Sequence, residues 1–114
     1  MLIVDDEQDI CDCLAAFFSS RGFSVSAAFS GEEALEWLAD DDGADVILLD
    51  ILLPGLSGIE VLKHVKTLHP KARVIMVTGL DQDELRAQAR RYGAAAYITK
   101  PFDFSDATWS SALA

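Results

Sequence analysis

The feature that most constrains the fold is a set of short, uninterrupted apolar runs that alternate with amphipathic stretches. Residues 2–4, 46–49 and 74–77 contain no polar side chain. A strand with such a sequence is covered on both faces, which is typical of a parallel sheet flanked by helices. The runs are also too short to cross a membrane, because a transmembrane helix needs roughly 20 apolar residues. The pattern therefore predicts buried strands and excludes a membrane span.

Stretches with helical spacing separate these runs. The first has its apolar residues at Ile10, Cys13, Leu14, Phe17 and Phe18 and ends at Gly22. Later stretches have them at Ala34, Leu35 and Leu38, at Ile59, Leu62, Val65 and Leu68, and at Leu85 and Ala89. Capping boxes, a serine or aspartate followed three residues later by glutamate, begin at Ser30, Ser57 and Asp81. These patterns predict four helices, and residues 103–114 predict a short fifth one.

Two weaker strands complete the alternation. Residues 23–27 alternate apolar and polar side chains, and residues 95–99 precede the strand-breaking pair Lys100 and Pro101. Three aspartates at residues 40–42, followed by Gly43, end the second helix and are more typical of a solvated helix end than of a metal site. We expect one α/β domain of 114 residues, with a parallel sheet and helices on both faces.

Polar side chains follow four of the predicted strands. Asp5 and Asp6 come after the first strand, Asp50 after the third, Thr78 at the end of the fourth and Lys100 after the fifth. Because ligands of open parallel sheets bind beyond the carboxyl ends of the strands, we expect these side chains to share one edge. Three carboxylates about 5 Å apart repel one another by about 3 kcal/mol per pair at an effective dielectric near 20. A cation must therefore compensate them.

Two cations fit the need, the ammonium of Lys100 and a hard divalent ion. A set of oxygen ligands without nearby histidine or thiolate favours Mg²⁺ over zinc. A carboxylate beside Mg²⁺, an ammonium and a hydroxyl suits phosphoryl transfer, since the cations neutralise the phosphoryl oxygens while the carboxylate attacks. The product of such an attack is an aspartyl phosphate.

The charge balance excludes direct nucleic-acid binding. The chain carries 19 acidic and 9 basic residues, a net charge of −10, and residues 1–50 hold 13 of the acids against the single base Arg21. A surface that follows phosphates needs a basic face instead. Glycine-rich nucleotide-binding loops are absent from the sequence. Cys11 and Cys13 lie on opposite sides of the first predicted helix, so we expect two free, reduced thiols that do not pair.

Four motifs, in this order, resemble the receiver domain of two-component response regulators. They are VDDE at residues 4–7, LD at 49–50 with LPGLSG at 53–58, VTG at 77–79 and YITKPF at 97–102. The resemblance covers essentially the whole chain. It implies the flavodoxin-like (βα)5 fold with five parallel strands in the order 2-1-3-4-5. Residues 1–114 would form one receiver domain, and the abrupt start at the first strand leaves open that the ends were trimmed from a longer protein.

The same resemblance implies the phosphorylation chemistry of the site. Asp50 would be the phosphoacceptor. Asp6 would hold Mg²⁺ directly and Asp5 largely through water. Asp50 and the backbone carbonyl of Leu52 would complete the protein's share of the metal site.

It also implies how the signal leaves the site. Thr78 and Lys100 would contact the phosphoryl group, with Gly79 leaving room for it. Tyr97 would be the switch aromatic, whose ring turns inward when the threonine moves. Lys100 and Pro101 would be joined by a cis peptide bond.

The implied function is that of a cytoplasmic signalling domain, not of a turnover enzyme. A sensor histidine kinase or a phosphotransfer protein would phosphorylate it. The modified domain would then present the face of its fourth helix, fifth strand and fifth helix to a different partner or to a homodimer. Two alternatives are a hydrolase with an aspartyl-phosphate intermediate and a pseudo-receiver that acts by binding alone. Such hydrolases usually have a second aspartate where Leu52 stands, and a pseudo-receiver would be expected to lack the acids or the lysine.

Leu52 and Leu80 depart from the polar residues often found beside the phosphate. Neither side chain can orient an attacking water molecule. This suggests the hypothesis that the phosphoaspartate is relatively long-lived.

Overall fold

Five parallel strands form one sheet in the computed structural model, which describes residues 1–39 and 44–114. The elements in chain order are β1 Leu2–Val4, α1 Gln8–Ser20, β2 Ser26–Ala28, α2 Gly31–Ala39, β3 Val46–Leu49, α3 Gly58–Leu68, β4 Arg73–Thr78, α4 Asp83–Arg91, β5 Ala96–Thr99 and α5 Asp106–Leu113. The strand order is β2-β1-β3-β4-β5, which confirms the predicted α/β fold. None of the helices in the described ranges combines the length and hydropathy that a membrane crossing requires.

Two apolar layers cover the sheet, because consecutive residues of a strand point to opposite faces. On one face Leu49 and Met76 pack with residues of α2, α3 and α4, such as Leu62. On the other face Leu48 and Ile75 pack with residues of α1 and α5. The central strands are therefore buried on both sides, as their uninterrupted apolar sequences predicted.

The buried stripe of α1 differs from the predicted one. Cys11, Leu14 and Phe18 face the core, whereas Cys13, which the prediction included, is exposed. Cys13 lies about 200° around the helix from Cys11, since successive residues turn by about 100°. Both thiols are free, as expected.

Several boundaries also differ from the predictions. The second strand begins at Ser26, later than the predicted residue 23. The apolar spacing predicts Leu68 in the buried stripe of α3, but its side chain is 58% exposed because the helix ends there and the chain turns at Pro70 towards β4. The predicted helix end at residues 40–43 lies outside the described residues.

Two of the predicted helix starts, at Asp81 and Asp103, are wrong, because these acids bind other groups and do not cap the helices. The N-cap of α4 is Gln82, without a side-chain cap, and Asp81 pairs instead with Arg86 at 2.8 Å. The last helix begins at Asp106 after the N-cap Ser105, and Asp103 lies outside it as an acceptor for the Ser105 hydroxyl. The serine caps at Ser30 and Ser57 are present as predicted.

Candidate functional site

Four strand ends meet at the carboxyl edge of the sheet. Backbone hydrogen bonds extend the sheet ladder into the site: the Asp5 amide donates to Ala28 at 3.1 Å, the Asp50 amide to Val4 at 3.0 Å and the Lys100 amide to Thr78 at 2.8 Å. The side chains of Asp5, Asp50 and Thr78 are buried, although polar groups are costly to bury without partners. The sheet itself therefore fixes where these side chains start.

The ammonium of Lys100 lies between two of the carboxylates. Its Nζ atom donates to Oδ2 of Asp5 at 2.8 Å and to Oδ2 of Asp50 at 2.9 Å, and it lies 3.5 Å from Oε1 of Glu7. Charge-assisted hydrogen bonds of this length are among the strong ones in proteins. Residues that are 95 and 50 positions apart in the chain are thus joined, as the strand-end pattern predicted.

Burial and ion pairing have opposite effects on the pKa values of Asp5 and Lys100. Burial raises the pKa of Asp5 above its usual value, although the hydrogen bond from Lys100 opposes that shift. Burial would lower the pKa of Lys100, but the hydrogen bonds to Asp5 and Asp50 outweigh it and hold that pKa well above its usual value. The lysine therefore stays charged at neutral pH.

Four carboxylates form one cluster at this edge. One oxygen each of Asp5, Asp6, Glu7 and Asp50 lies within 4.8 Å of the others. Four carboxylate oxygens grouped this closely could hold a metal ion, and oxygen ligands are the type that Mg²⁺ prefers. Asp6 and Glu7 are exposed to solvent, which leaves the cluster accessible. Glu7 was not among the predicted ligands, although the acidic run after the first strand contains it.

The loop between β3 and α3 contacts Asp50 through backbone groups. Oδ1 of Asp50 accepts a hydrogen bond from the Leu52 amide at 3.3 Å, and the Gly58 amide donates to the Ile51 carbonyl at 2.8 Å. A Cβ atom at Gly58 would lie 2.0 Å from the carbonyl oxygen of Asp50, so no other residue fits there without displacement. The side chain of Leu52 is 63% exposed beside the site.

The two predicted switch residues, Thr78 and Tyr97, both form hydrogen bonds with the backbone of Leu80. Oγ1 of Thr78 accepts a hydrogen bond from the Leu80 amide at 3.3 Å, and the Tyr97 hydroxyl donates to the Leu80 carbonyl. The Tyr97 ring is partly buried, with the Arg86 guanidinium 4.6 Å from its centre, and burial raises the pKa of its hydroxyl. A Cβ atom at Gly79 would meet nothing within 4 Å, so there is open space beside Thr78.

The peptide bond between Lys100 and Pro101 is cis, as the family resemblance implied.

The edge of the sheet therefore brings together Asp5, Asp6, Asp50 and Lys100. A buried carboxylate next to a fixed ammonium and an acidic cluster that could hold a metal ion can act as a nucleophile towards a phosphoryl group.

Known proteins are similar to this chain in sequence and in structure. Residues 1–108 match the model of the family described as response regulator receiver domain. The transcriptional regulatory protein DltR of Streptococcus agalactiae is 37% identical over 103 residues, which cover 90% of this chain and 46% of DltR. The regulatory protein AtoC of Escherichia coli is 37% identical over 106 residues, which cover 93% of this chain and 23% of AtoC. The chain thus spans less than half the length of these relatives.

Solved structures agree with these matches. A CheY-like receiver domain protein of Methanospirillum hungatei superposes with a TM-score of 0.85 at 34% identity, over 90% of this chain and 81% of that one. A response regulator of Burkholderia pseudomallei, solved with a phosphorylated aspartic acid, a calcium ion and citrate, gives 0.89 at 28% identity, over 99% and 65%. From its sequence, its fold and these matches, the chain belongs to the family of response regulator receiver domains of two-component signalling.

Proposed function

We propose that Asp50 accepts a phosphoryl group from a phosphohistidine of a sensor kinase or a phosphotransfer protein. The observation that carries this proposal is the Lys100 ammonium held 2.9 Å from the Asp50 carboxylate, within a cluster of four acids. An oxygen of Asp50 forms the new bond to phosphorus while the bond from phosphorus to the donor's imidazole nitrogen breaks. The imidazole keeps the electron pair, and the product is an aspartyl phosphate. Hydrolysis later removes the group.

The residues that would hold Mg²⁺ are the side chains of Asp5, Asp6 and Asp50 and the backbone carbonyl of Leu52. Glu7 adds a further carboxylate to the cluster. When bound, the ion would supply positive charge to the oxygens of the transferred group. The Lys100 ammonium supplies a second positive charge from the protein, in a site where burial weakens solvent screening.

Thr78 and Tyr97 would carry the signal away from the site. The aspartyl phosphate carries about two negative charges where the carboxylate carried one, and its phosphoryl oxygens draw the Thr78 hydroxyl towards Asp50 as a donor. That movement frees the Leu80 amide, which Thr78 holds at 3.3 Å, and the loop beyond it shifts. Tyr97 follows because its hydroxyl is bonded to the same residue. The surface formed by α4, β5 and α5 then favours a different partner or a homodimer.

In this proposal residues 1–114 act as one cytoplasmic receiver domain that promotes its own phosphorylation and dephosphorylation. The matching relatives are longer proteins, so the response to the signal depends on what the switched surface contacts. The work of this domain would be a change in binding, not the turnover of a substrate.

Incubation with acetyl phosphate and Mg²⁺, followed by intact mass spectrometry, tests the proposal. We expect one added phosphoryl group on the wild type and none on Asp50→Asn, which keeps the shape of the side chain but removes its nucleophile. Chelation of Mg²⁺ should abolish the modification. An unmodified wild type would overturn the proposal in favour of a pseudo-receiver. Repeated turnover of a small phosphate ester would overturn it in favour of a hydrolase.

A further inference from the structure

A carboxylate outside the acidic cluster holds the loop that follows Asp50. Glu32 lies in the first turn of α2, and its Oε1 atom accepts a hydrogen bond from the Leu56 amide at 2.7 Å. The two residues are 24 positions apart in the chain. Gly55 packs on the same carboxylate: a Cβ atom there would lie 2.4 Å from Oε2 and 2.6 Å from Oε1. A positive φ of 74° at Gly55 turns the backbone in a way that favours glycine.

The neighbouring residues show that this contact is part of the packing and not a chance meeting of surface groups. A Cβ atom at Gly31 would lie 2.7 Å from Cγ2 of Val61 and 3.1 Å from the Leu56 side chain, so the start of α2 presses against the loop and α3. The next glutamate does a different job. Glu33 accepts a hydrogen bond from the Phe29 amide at 3.3 Å, in the segment just before its own helix.

The loop is thus held at both ends and in the middle. At its start the Leu52 amide binds Oδ1 of Asp50. At its end the Gly58 amide binds the Ile51 carbonyl. Between them lies the Leu56 amide on Glu32, a contact from a different element of the fold. Since the charged carboxylate makes a short hydrogen bond, it holds this loop more firmly than a neutral acceptor would.

We propose that Glu32 is a positioning residue for phosphoryl transfer. It fixes the loop that carries the Leu52 carbonyl and supports the backbone of Asp50, and through it α2 restrains the metal-binding edge of the site. This inference rests on the proposed function. Glu32 itself acts through the loop and does not touch the reacting atoms.

Amide hydrogen exchange measured by NMR tests the contact without any phosphorylation. We expect the Leu56 amide to exchange at least tenfold faster in Glu32→Ala than in the wild type. Glu32→Gln keeps an acceptor oxygen and should stay within about threefold of the wild type. Glu36→Ala is the matched control, because it removes an exposed glutamate from the same helix. Unchanged exchange in Glu32→Ala would overturn the inference.

Phosphorylation kinetics test the positioning role. We expect Glu32→Ala to raise the Mg²⁺ concentration for half-maximal phosphorylation about fivefold, with substantial rescue in Glu32→Gln and no change in Glu36→Ala. A calorimetric titration with Mg²⁺ alone should show the same order of affinities. If the wild type accepts phosphate and Glu32→Ala matches it, this inference fails while the proposed function stands. If the wild type accepts none, the proposed function fails instead.

Discussion

The site keeps an excess of negative charge although it contains the Lys100 ammonium. Its ammonium lies against Asp5 and Asp50, but the cluster contains four carboxylates, so one positive charge against four negative charges leaves a formal charge of −3. A dication would reduce that to −1. The lysine therefore pairs with the two buried carboxylates and leaves a net negative charge that could attract a metal ion.

At the scale of single residues, Leu52 is expected to set the lifetime of the phosphorylated state. Its side chain is 63% exposed beside Asp50 and offers no group that can orient water. In Leu52→Asn an amide can hold a water molecule near the phosphorus, so we expect dephosphorylation to become at least about threefold faster. The measurement is a time course of intact mass after removal of the phosphate donor.

Leu68→Asn is the matched control for this prediction. Leu68 is exposed to a similar degree, 58%, but lies at the far end of α3. The same substitution there should leave the lifetime unchanged. Equal lifetimes of Leu52→Asn and the wild type would contradict the hypothesis that the apolar side chain protects the phosphate.

The residues of the candidate site could be found from the sequence because each follows a strand. Once the apolar runs indicate a parallel sheet, Asp5, Asp50 and Lys100 must come near one another at its carboxyl edge. The contact of Glu32 with Leu56 could not be found in this way, since it depends on how closely a helix packs against a loop. Patterns along the chain report which face is buried, not which backbone amide a surface carboxylate will reach.

At the scale of elements, the packing of α3 against β3 depends on Gly58, which has no side chain. A Cβ atom at Gly58 would lie 2.0 Å from the Asp50 carbonyl oxygen, far inside any tolerable contact. In Gly58→Ala the start of α3 and the loop before it must move, and we expect a loss of about 3 kcal/mol in the free energy of unfolding. Urea denaturation followed by far-UV circular dichroism measures it.

Gly79→Ala provides the comparison for Gly58→Ala. A Cβ atom there meets nothing within 4 Å, so stability should change by less than about 0.5 kcal/mol. Equal denaturation midpoints for the two variants would show that the close approach at Gly58 can relax at little cost.

Element boundaries were predicted less well than elements themselves. Both Asp81 and Asp103 precede helices, and the sequence pattern predicts that both begin them. In the structure Asp81 pairs with Arg86 and Asp103 accepts from the Ser105 hydroxyl, while the helices begin further on. An acid before a helix can serve as a cap, an ion-pair partner or a turn acceptor, and the local sequence is compatible with all three.

At the scale of the whole molecule, charge is unevenly distributed, and the acidic half carries the entire acidic cluster. Residues 1–50 hold 13 of the 19 acids, including all four members of the cluster. The folded chain confines the four carboxylates of the cluster at one edge of the sheet, whereas the unfolded chain lets them separate. An ion that binds the confined cluster and not the unfolded chain must therefore stabilise the fold.

Mg²⁺ is thus expected to stabilise the protein through this cluster and not through its general charge. At ten times the dissociation constant, binding adds about 1.4 kcal/mol to the free energy of unfolding. Asp6→Asn should lose most of that gain in urea denaturation with and without Mg²⁺, because Asp6 belongs to the cluster. Asp9→Asn removes an equal charge from the first turn of α1 and should keep it. If NaCl at equal ionic strength stabilised the wild type as much as Mg²⁺ does, or if Asp6→Asn responded like Asp9→Asn, the stabilisation would be general screening and the cluster would not be the metal site.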